Sequence, residues 1–203
     1  MIVLGVTGPS GAGKGEFCSI MQSLGAKSLD TDLVAREVVK PGSKCLYEIG
    51  KHFGPEIILA NGEMDRKRVA QIVFSDKEKL EFLNKTTHKY IVDKIKEWLF
   101  ECEISGEKLL IIDAPQLFEA GADEFCNFTL CVLADSDTRL SRIISRDKIS
   151  QQAATLRQNN QKDDSFFTDK CDYVVYNDGN LKTLKKKAEQ IFNDLMSHEE
   201  YFN

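Results

Sequence analysis

The sequence predicts a three-layer α/β/α domain built on a five-stranded parallel sheet. Three observations carry that expectation. Short, nearly unbroken apolar runs recur at Ile2 to Thr7, Leu109 to Asp113, Thr129 to Ala134 and Tyr173 to Tyr176, with a weaker one at Ala26 to Asp30. Runs of this kind suit strands covered on both faces. Stretches with helical spacing separate them, and such alternation calls for right-handed crossovers between parallel strands. A glycine-rich turn directly follows the first run and directly precedes a helical stretch.

The helical stretches account for the remaining elements in order. Lys14 to Leu24 opens on the glycine-rich turn, and Asp32 to Val39 ends at Pro41-Gly42. Ser43 to His52, Arg66 to Phe74, Lys77 to Leu83 and His88 to Glu103 follow. In the last of these Ile91, Ile95, Trp98, Leu99 and Cys102 recur every three or four residues and form one apolar stripe, which makes Trp98 a packing residue. Ser136 to Arg146, Ser150 to Asn160 and Asn180 to Met196 complete the set. The block from Gly54 to Ser105 exceeds what one crossover needs and reads as a helical substrate-binding insertion. The expected core is then 1–53, 106–138 and 170–203, with the insertion at 54–105.

At 203 residues, 42% hydrophobic and 29% charged, the chain suits one domain with a small substructure. A net charge of -5 disfavours nucleic acid or an anionic membrane as partner, since either calls for a basic surface. Six scattered cysteines without a CxxC pair, and only three histidines, argue for reduced thiols and against a metal cluster. The opening Met-Ile-Val-Leu-Gly-Val-Thr lacks the features of a secretory signal, and no apolar run approaches the roughly twenty residues of a membrane span. The expectation is a cytoplasmic protein.

The sharpest chemical signal is Gly8-Pro9-Ser10-Gly11-Ala12-Gly13-Lys14, a GxxxxGK loop between a strand and a helix. Glycines let the backbone wrap a polyphosphate, the helix start adds partial positive charge, and Lys14 reaches the β and γ phosphates. This predicts a P-loop NTPase fold. The hydroxyl residue that usually follows the lysine, where it touches Mg²⁺, is replaced by Gly15, followed by Glu16. Loops of adenylate kinases are similar in this respect, and their metal is held by phosphates and water. Glu16 either approaches the metal through water or sits in the first helical turn, where a carboxylate is favoured.

Ligands in open α/β sheets sit beyond the carboxyl ends of the strands, which gathers Gly8, Asp30, Asp113 and Asn177 around one crevice. Asp113 ends a strand where a carboxylate orients Mg²⁺ through water, or caps the turn before Pro115. In Asp30-Thr31-Asp32, Asp32 is placed to accept a proton from an acceptor hydroxyl; capping explains one Asp but leaves the other. Arg139, Arg142 and Arg146 share a helical face, either as phosphate-binding arginines or as a solvated face paired with Asp135, Asp137 and Asp147.

Beyond the loop the chain resembles the dephospho-coenzyme A kinase family, in order and over nearly its whole length. Asp30-Thr31-Asp32-Leu33-Val34-Ala35-Arg36 with Pro41-Gly42 is similar to the family's DADxxAR and its PG segment. Phe53-Gly54, Asn61-Gly62-Glu63-Met64-Asp65-Arg66, Val73-Phe74-Ser75-Asp76, Leu83-Asn84 and Thr87-His88 follow. Asp113-Ala114-Pro115-Gln116-Leu117-Phe118-Glu119 resembles DxPLLFE, Arg142 and Arg146 the RxxxR of a lid, Arg157 and Gln161 its RxxxQ, and Asn177-Asp178-Gly179 the closing NxG.

The resemblance implies transfer of the ATP γ-phosphoryl group to the ribose 3′-hydroxyl of dephospho-coenzyme A, with Mg²⁺, a lid near 139–165 and a monomer or small homo-oligomer. It implies that Gly11, Ala12, Gly13, Lys14, Gly15, Glu16, Arg142, Arg146 and Asn177 contact ATP. It further implies that Asp32, Arg36, Arg66, His88, Pro115 and Leu117 contact the acceptor, and that Asp32, Lys14 and Arg142 serve catalysis. Lys89, Gln116, Gly15 and Thr31 depart from the pattern. Another small-molecule or nucleoside monophosphate kinase, or a non-catalytic nucleotide binder, is the alternative.

Overall fold

The strand β1 (Ile2–Thr7) is buried along its whole length, as its unbroken apolar sequence requires of a strand covered on both faces. With β2 (Lys27–Asp30), β3 (Leu109–Asp113), β4 (Phe128–Leu133) and β5 (Tyr173–Tyr176) it forms one sheet of order β2-β3-β1-β4-β5, every pairing parallel. The computed structural model describes residues 1–74 and 76–198. The helices are α1 (Lys14–Ser23), α2 (Thr31–Glu37), α3 (Lys44–Phe53), α4 (Arg66–Phe74), α5 (Lys77–Ile104), α6 (Ser136–Asp147), α7 (Gln151–Asn159), α8 (Asp164–Thr168) and α9 (Leu181–Ser197).

Two compact units divide the chain: Met1–Asp30 with Glu101–Asn203, and Thr31–Phe100. In the first, α1 and α9 cover one face of the sheet. Phe17 and Met21 of α1, with Leu184, Ala188 and Leu195 of α9, close over Leu4, Val6, Ile111 and Val132. On the opposite face Cys131 and Leu133 meet Phe167 of α8. The register sets Asp113 opposite both Val6 and Asp30, so the carboxyl ends of β1, β2 and β3 lie level. Strand order reverses around β1, which puts the crevice of an open α/β sheet at the loop that follows it.

The second unit holds α2, α3, α4 and α5 as far as Phe100. The His52 ring stacks on Phe82 with centroids 3.6 Å apart, and Phe53 meets Phe82 edge to face. A bridge between Ile58 and Met64 closes the turn carrying Asn61 and Gly62.

The two helices expected at Lys77 to Leu83 and His88 to Glu103 are one helix of 28 residues. Thr87 does not break it, because its hydroxyl donates to the Leu83 and Asn84 carbonyls at 2.9 and 3.0 Å and stays satisfied inside the helix. β4 starts one residue before the expected Thr129, and α8 is too short to have shown a period. Ser75 of the Val73-Phe74-Ser75-Asp76 segment and the last residues of the expected core, 199–203, lie outside the described residues. Among the described residues no helix is long and apolar enough to cross a membrane.

Candidate functional site

The chain leaves β1 at Thr7 and enters α1 at Lys14, and the six residues between wrap the start of that helix. Gly13 caps α1 in a left-handed conformation, φ 97°, with no side chain to bond the helix amides. The first N–H groups of α1 therefore face the crevice without intrahelical partners, which is the arrangement that receives a phosphate. Any Cβ at Gly13 would collide with the Asn177 side-chain amide, so glycine is required twice over. Gly11 lies against the Arg139 backbone of α6, where a Cβ would stand 2.6 Å from its carbonyl oxygen.

The carbonyls of the loop are tied back. Arg142 Nη1 donates to the Gly11 and Ala12 carbonyls at 3.2 Å each, and its Nη2 donates to the Asn177 carbonyl at 3.0 Å. The buried Asn177 side chain adds a 2.8 Å bond to the Ala12 carbonyl. Ser10 is held by its hydroxyl, which accepts from Arg146 Nη2 at 3.2 Å, and by its amide, which donates to Gln161 Oε1 at 3.0 Å.

Lys14 forms an ion pair with Asp113, with side-chain exposures of 16% and 11%. One helical turn further, the thiol of Cys18 hydrogen-bonds the same carboxylate. Burial, and then the Asp113 charge, push that thiol well above its ordinary range, so it stands as a neutral donor. Lys14 and Cys18 are spaced i, i+4 on α1, which is why both reach one strand-end residue. No group of three or more His, Cys, Asp or Glu able to hold a metal gathers among the described residues. Gly15 is exposed with open space where a Cβ would stand, and Glu16 is also exposed. A lone carboxylate beside a polyphosphate loop fits Mg²⁺, which keeps several waters and takes its other ligands from phosphates.

The three arginines of α6 divide their work. Arg139 Nη1 donates to Asp164 at 3.1 Å, while Arg142 and Arg146 reach the loop. Arg146 also pairs with Asp147 at 2.8 Å, and Arg157 joins the same carboxylate at 2.6 Å. Asp147 thus clamps α6 to α7 and brings the RxxxR and RxxxQ residues into one network.

Asp32 lies exposed in the first turn of α2 and Arg36 exposed in its last turn. Arg66 is exposed at the start of α4, and His88 is half-buried within α5. These four belong to the second unit. Lys89, a departure from the family pattern, pairs with Glu48 at 3.4 Å on the surface. Tyr90 donates to the same carboxylate at 2.7 Å, which lowers the Glu48 pKa and raises the tyrosine to about 12. The half-buried Pro115 offers its carbonyl to Thr7 Oγ1 at 3.3 Å. Leu117, expected to touch the acceptor, is fully buried beside Gly5 and Cys126. The missing Cβ of Gly5 makes room for it. Sequence reasoning missed Cys18 and the grip on Ser10; the i, i+4 spacing of Lys14 and Cys18 was the available signal for the first.

A phosphate loop at the switch point of an all-parallel five-stranded sheet, its lysine on a strand-end carboxylate and its carbonyls gripped by a following arginine helix, defines a P-loop kinase. A family model for dephospho-CoA kinase matches residues 2–183. A dephospho-CoA kinase of Fusobacterium nucleatum is 36% identical over 190 residues, 94% of this chain and 96% of that one. The crystal structure of TT1252 from Thermus thermophilus covers 96% of this chain and 97% of its own, with TM-score 0.82 and 28% identity. Dephospho-CoA kinase from Campylobacter jejuni superposes with TM-score 0.71 at 27% identity, covering 95% of this chain and 96% of its own. The chain belongs to the dephospho-CoA kinase family.

Proposed function

We propose that the chain transfers the γ-phosphoryl group of ATP to the 3′-hydroxyl of dephospho-coenzyme A, giving coenzyme A and ADP. The observation that supports the chemistry best is the Lys14–Asp113 pair at the mouth of the loop. A half-buried lysine already neutralised by a carboxylate can be drawn onto the β and γ phosphates, leaving Asp113 beside Cys18 and facing the nucleotide. Amides of the loop and the start of α1 receive the phosphates, and Arg142 keeps the loop carbonyls turned away from them. Asp32 accepts the proton of the 3′-hydroxyl as that oxygen bonds to the γ-phosphorus. The bond from the γ-phosphorus to the bridging oxygen breaks, and its electron pair leaves with ADP. Arg146 and its neighbours exclude water, which would otherwise take the phosphoryl group.

Asp113 would hold Mg²⁺ through water, and the bound ion would supply positive charge against the phosphates. Arg36, Arg66, His88, Pro115 and Leu117 belong to the acceptor side of this reading. The partners are small molecules rather than nucleic acid, the working form is a monomer or small homo-oligomer, and the compartment is the cytoplasm. Six unpaired thiols support a reducing compartment.

The test is ADP release with dephospho-coenzyme A set against AMP, CMP and GMP. Gly15, shared with the loops of adenylate kinases, is what makes the monophosphates the right competitors. Turnover on dephospho-coenzyme A is expected. Turnover on a monophosphate alone would overturn the acceptor, and ATP binding without any turnover would leave a non-catalytic binder.

A further inference from the structure

Ser10 is gripped by two residues far along the chain. Its hydroxyl accepts from Arg146, and its backbone N–H donates to the Gln161 side-chain oxygen at 3.0 Å. The second contact sets a carbonyl oxygen on an amide of a loop whose amides serve anions. A phosphate oxygen and the Gln161 oxygen are therefore chemically equivalent claimants for one donor.

Gln161 has somewhere else to go. It lies between α7 and α8 and borders a polar cavity of about 540 Å³ whose lining includes Ser136, Arg139, Gln158 and Asp164. Arg139 in that lining holds Asp164 through Nη1, but its Nε is buried and, among the described residues, has no hydrogen-bond partner. A buried donor without an acceptor is uncommon and calls for one.

We propose that Gln161 is a positioning residue with two seats: its oxygen holds the Ser10 amide in the arrangement seen here, yields that amide to the γ-phosphate, and turns to Arg139 Nε across the cavity. ATP arrival is thereby coupled to the segment between α7 and α8, which belongs to the expected lid. The proposal rests on the loop being the ATP site, as the kinase reading holds, and it names the residue that senses occupation of that site.

Calorimetric titration with a non-hydrolysable ATP analogue, without acceptor, tests it. Gln161→Leu removes the competitor at Ser10 but also the second seat at Arg139, so the two losses offset in part and binding should tighten by no more than about threefold. Gln161→Glu sets a carboxylate beside the incoming phosphates and should weaken binding about tenfold or more by charge repulsion, an effect that its attraction to Arg139 offsets only in part. Arg139→Lys keeps a cation for Asp164 but removes Nε; it should weaken binding about threefold alone and add nothing to Gln161→Leu. A misfolded variant would weaken binding whichever residue was introduced, so the opposite signs are the signature. Equal weakening by both Gln161 variants would overturn the two-seat arrangement, and unchanged binding in Gln161→Glu would remove Ser10 from the path of the nucleotide. Failure of the parent chain to phosphorylate dephospho-coenzyme A, with the opposite signs intact, would sink the acceptor and leave the latch standing.

Discussion

The Asn177 side-chain amide donates to the Ala12 carbonyl at 2.8 Å, joining the end of β5 to the phosphate loop across 165 residues of sequence. A peptide plane pinned by its carbonyl points its N–H the other way, so this bond helps to aim the loop amides at the crevice. Arg142 shares the same carbonyl, which makes the anchor redundant in part. Asn177→Ala should therefore weaken ATP binding about tenfold rather than abolish it, within the usual cost of leaving a buried group unpaired. Calorimetry reads the affinity, and an unchanged value would reduce Asn177 to a turn residue.

Two glycines of the loop should respond in opposite ways. Gly13→Ala forces a Cβ into the Asn177 amide at a positive φ, and should abolish measurable ATP binding with a lowered melting temperature. Gly15→Ser meets nothing within 4 Å and should leave stability within about 0.5 kcal/mol. It restores the hydroxyl usual at this position, so less Mg²⁺ should be needed for half-maximal velocity. A magnesium titration of the serine variant that matched the parent would show that the hydroxyl has no use in this loop.

Asp32→Asn keeps the size and exposure of the side chain but removes its basicity. Turnover should fall by about a hundredfold or more if Asp32 takes the proton, with ATP affinity unchanged. Steady-state kinetics with saturating acceptor decides it, and full activity would take Asp32 out of the chemistry.

The clamp between α6 and α7 carries a pH dependence. Asp147 is held below its ordinary value of 3.8, first by the hydrogen bond from Arg146 and also by the charges of Arg146 and Arg157. A carboxylate depressed in the folded state adds stability above its unfolded pKa and loses it as pH falls through the folded value. Asp147→Asn should therefore melt earlier than the parent near neutrality, and the two melting curves should converge at acid pH. A gap that persisted below the folded pKa would mean that the clamp is not ionic.

Much of this was legible in the sequence because the relevant signals are local. An apolar run before Gly8 and a helix after Lys14 are enough to place a phosphate loop, and the strand ending at Asp113 needed only its own five residues. What escaped was set by tertiary contact. The burial of Leu117 depends on the absent side chain of Gly5, more than a hundred residues away in sequence. Two separate helices are expected, one ending at Leu83 and one starting at His88, yet between them Thr86 is buried and Thr87 bonds back to its own helix. The hold of Gln161 on Ser10 spans 151 residues and follows no local period.

The placement of β1 shapes how the chain must be made. Both of its partners come from the far segment, since Ile2 is in register with Leu109 and Leu4 with Phe128. During synthesis at about 5–20 residues per second, this apolar hexapeptide waits roughly 5 to 20 s for its first neighbour. The whole of Thr31–Phe100 is translated in that interval. The growing chain therefore carries an unpaired apolar strand until β3 and β4 have been made, the kind of exposed edge from which aggregation starts.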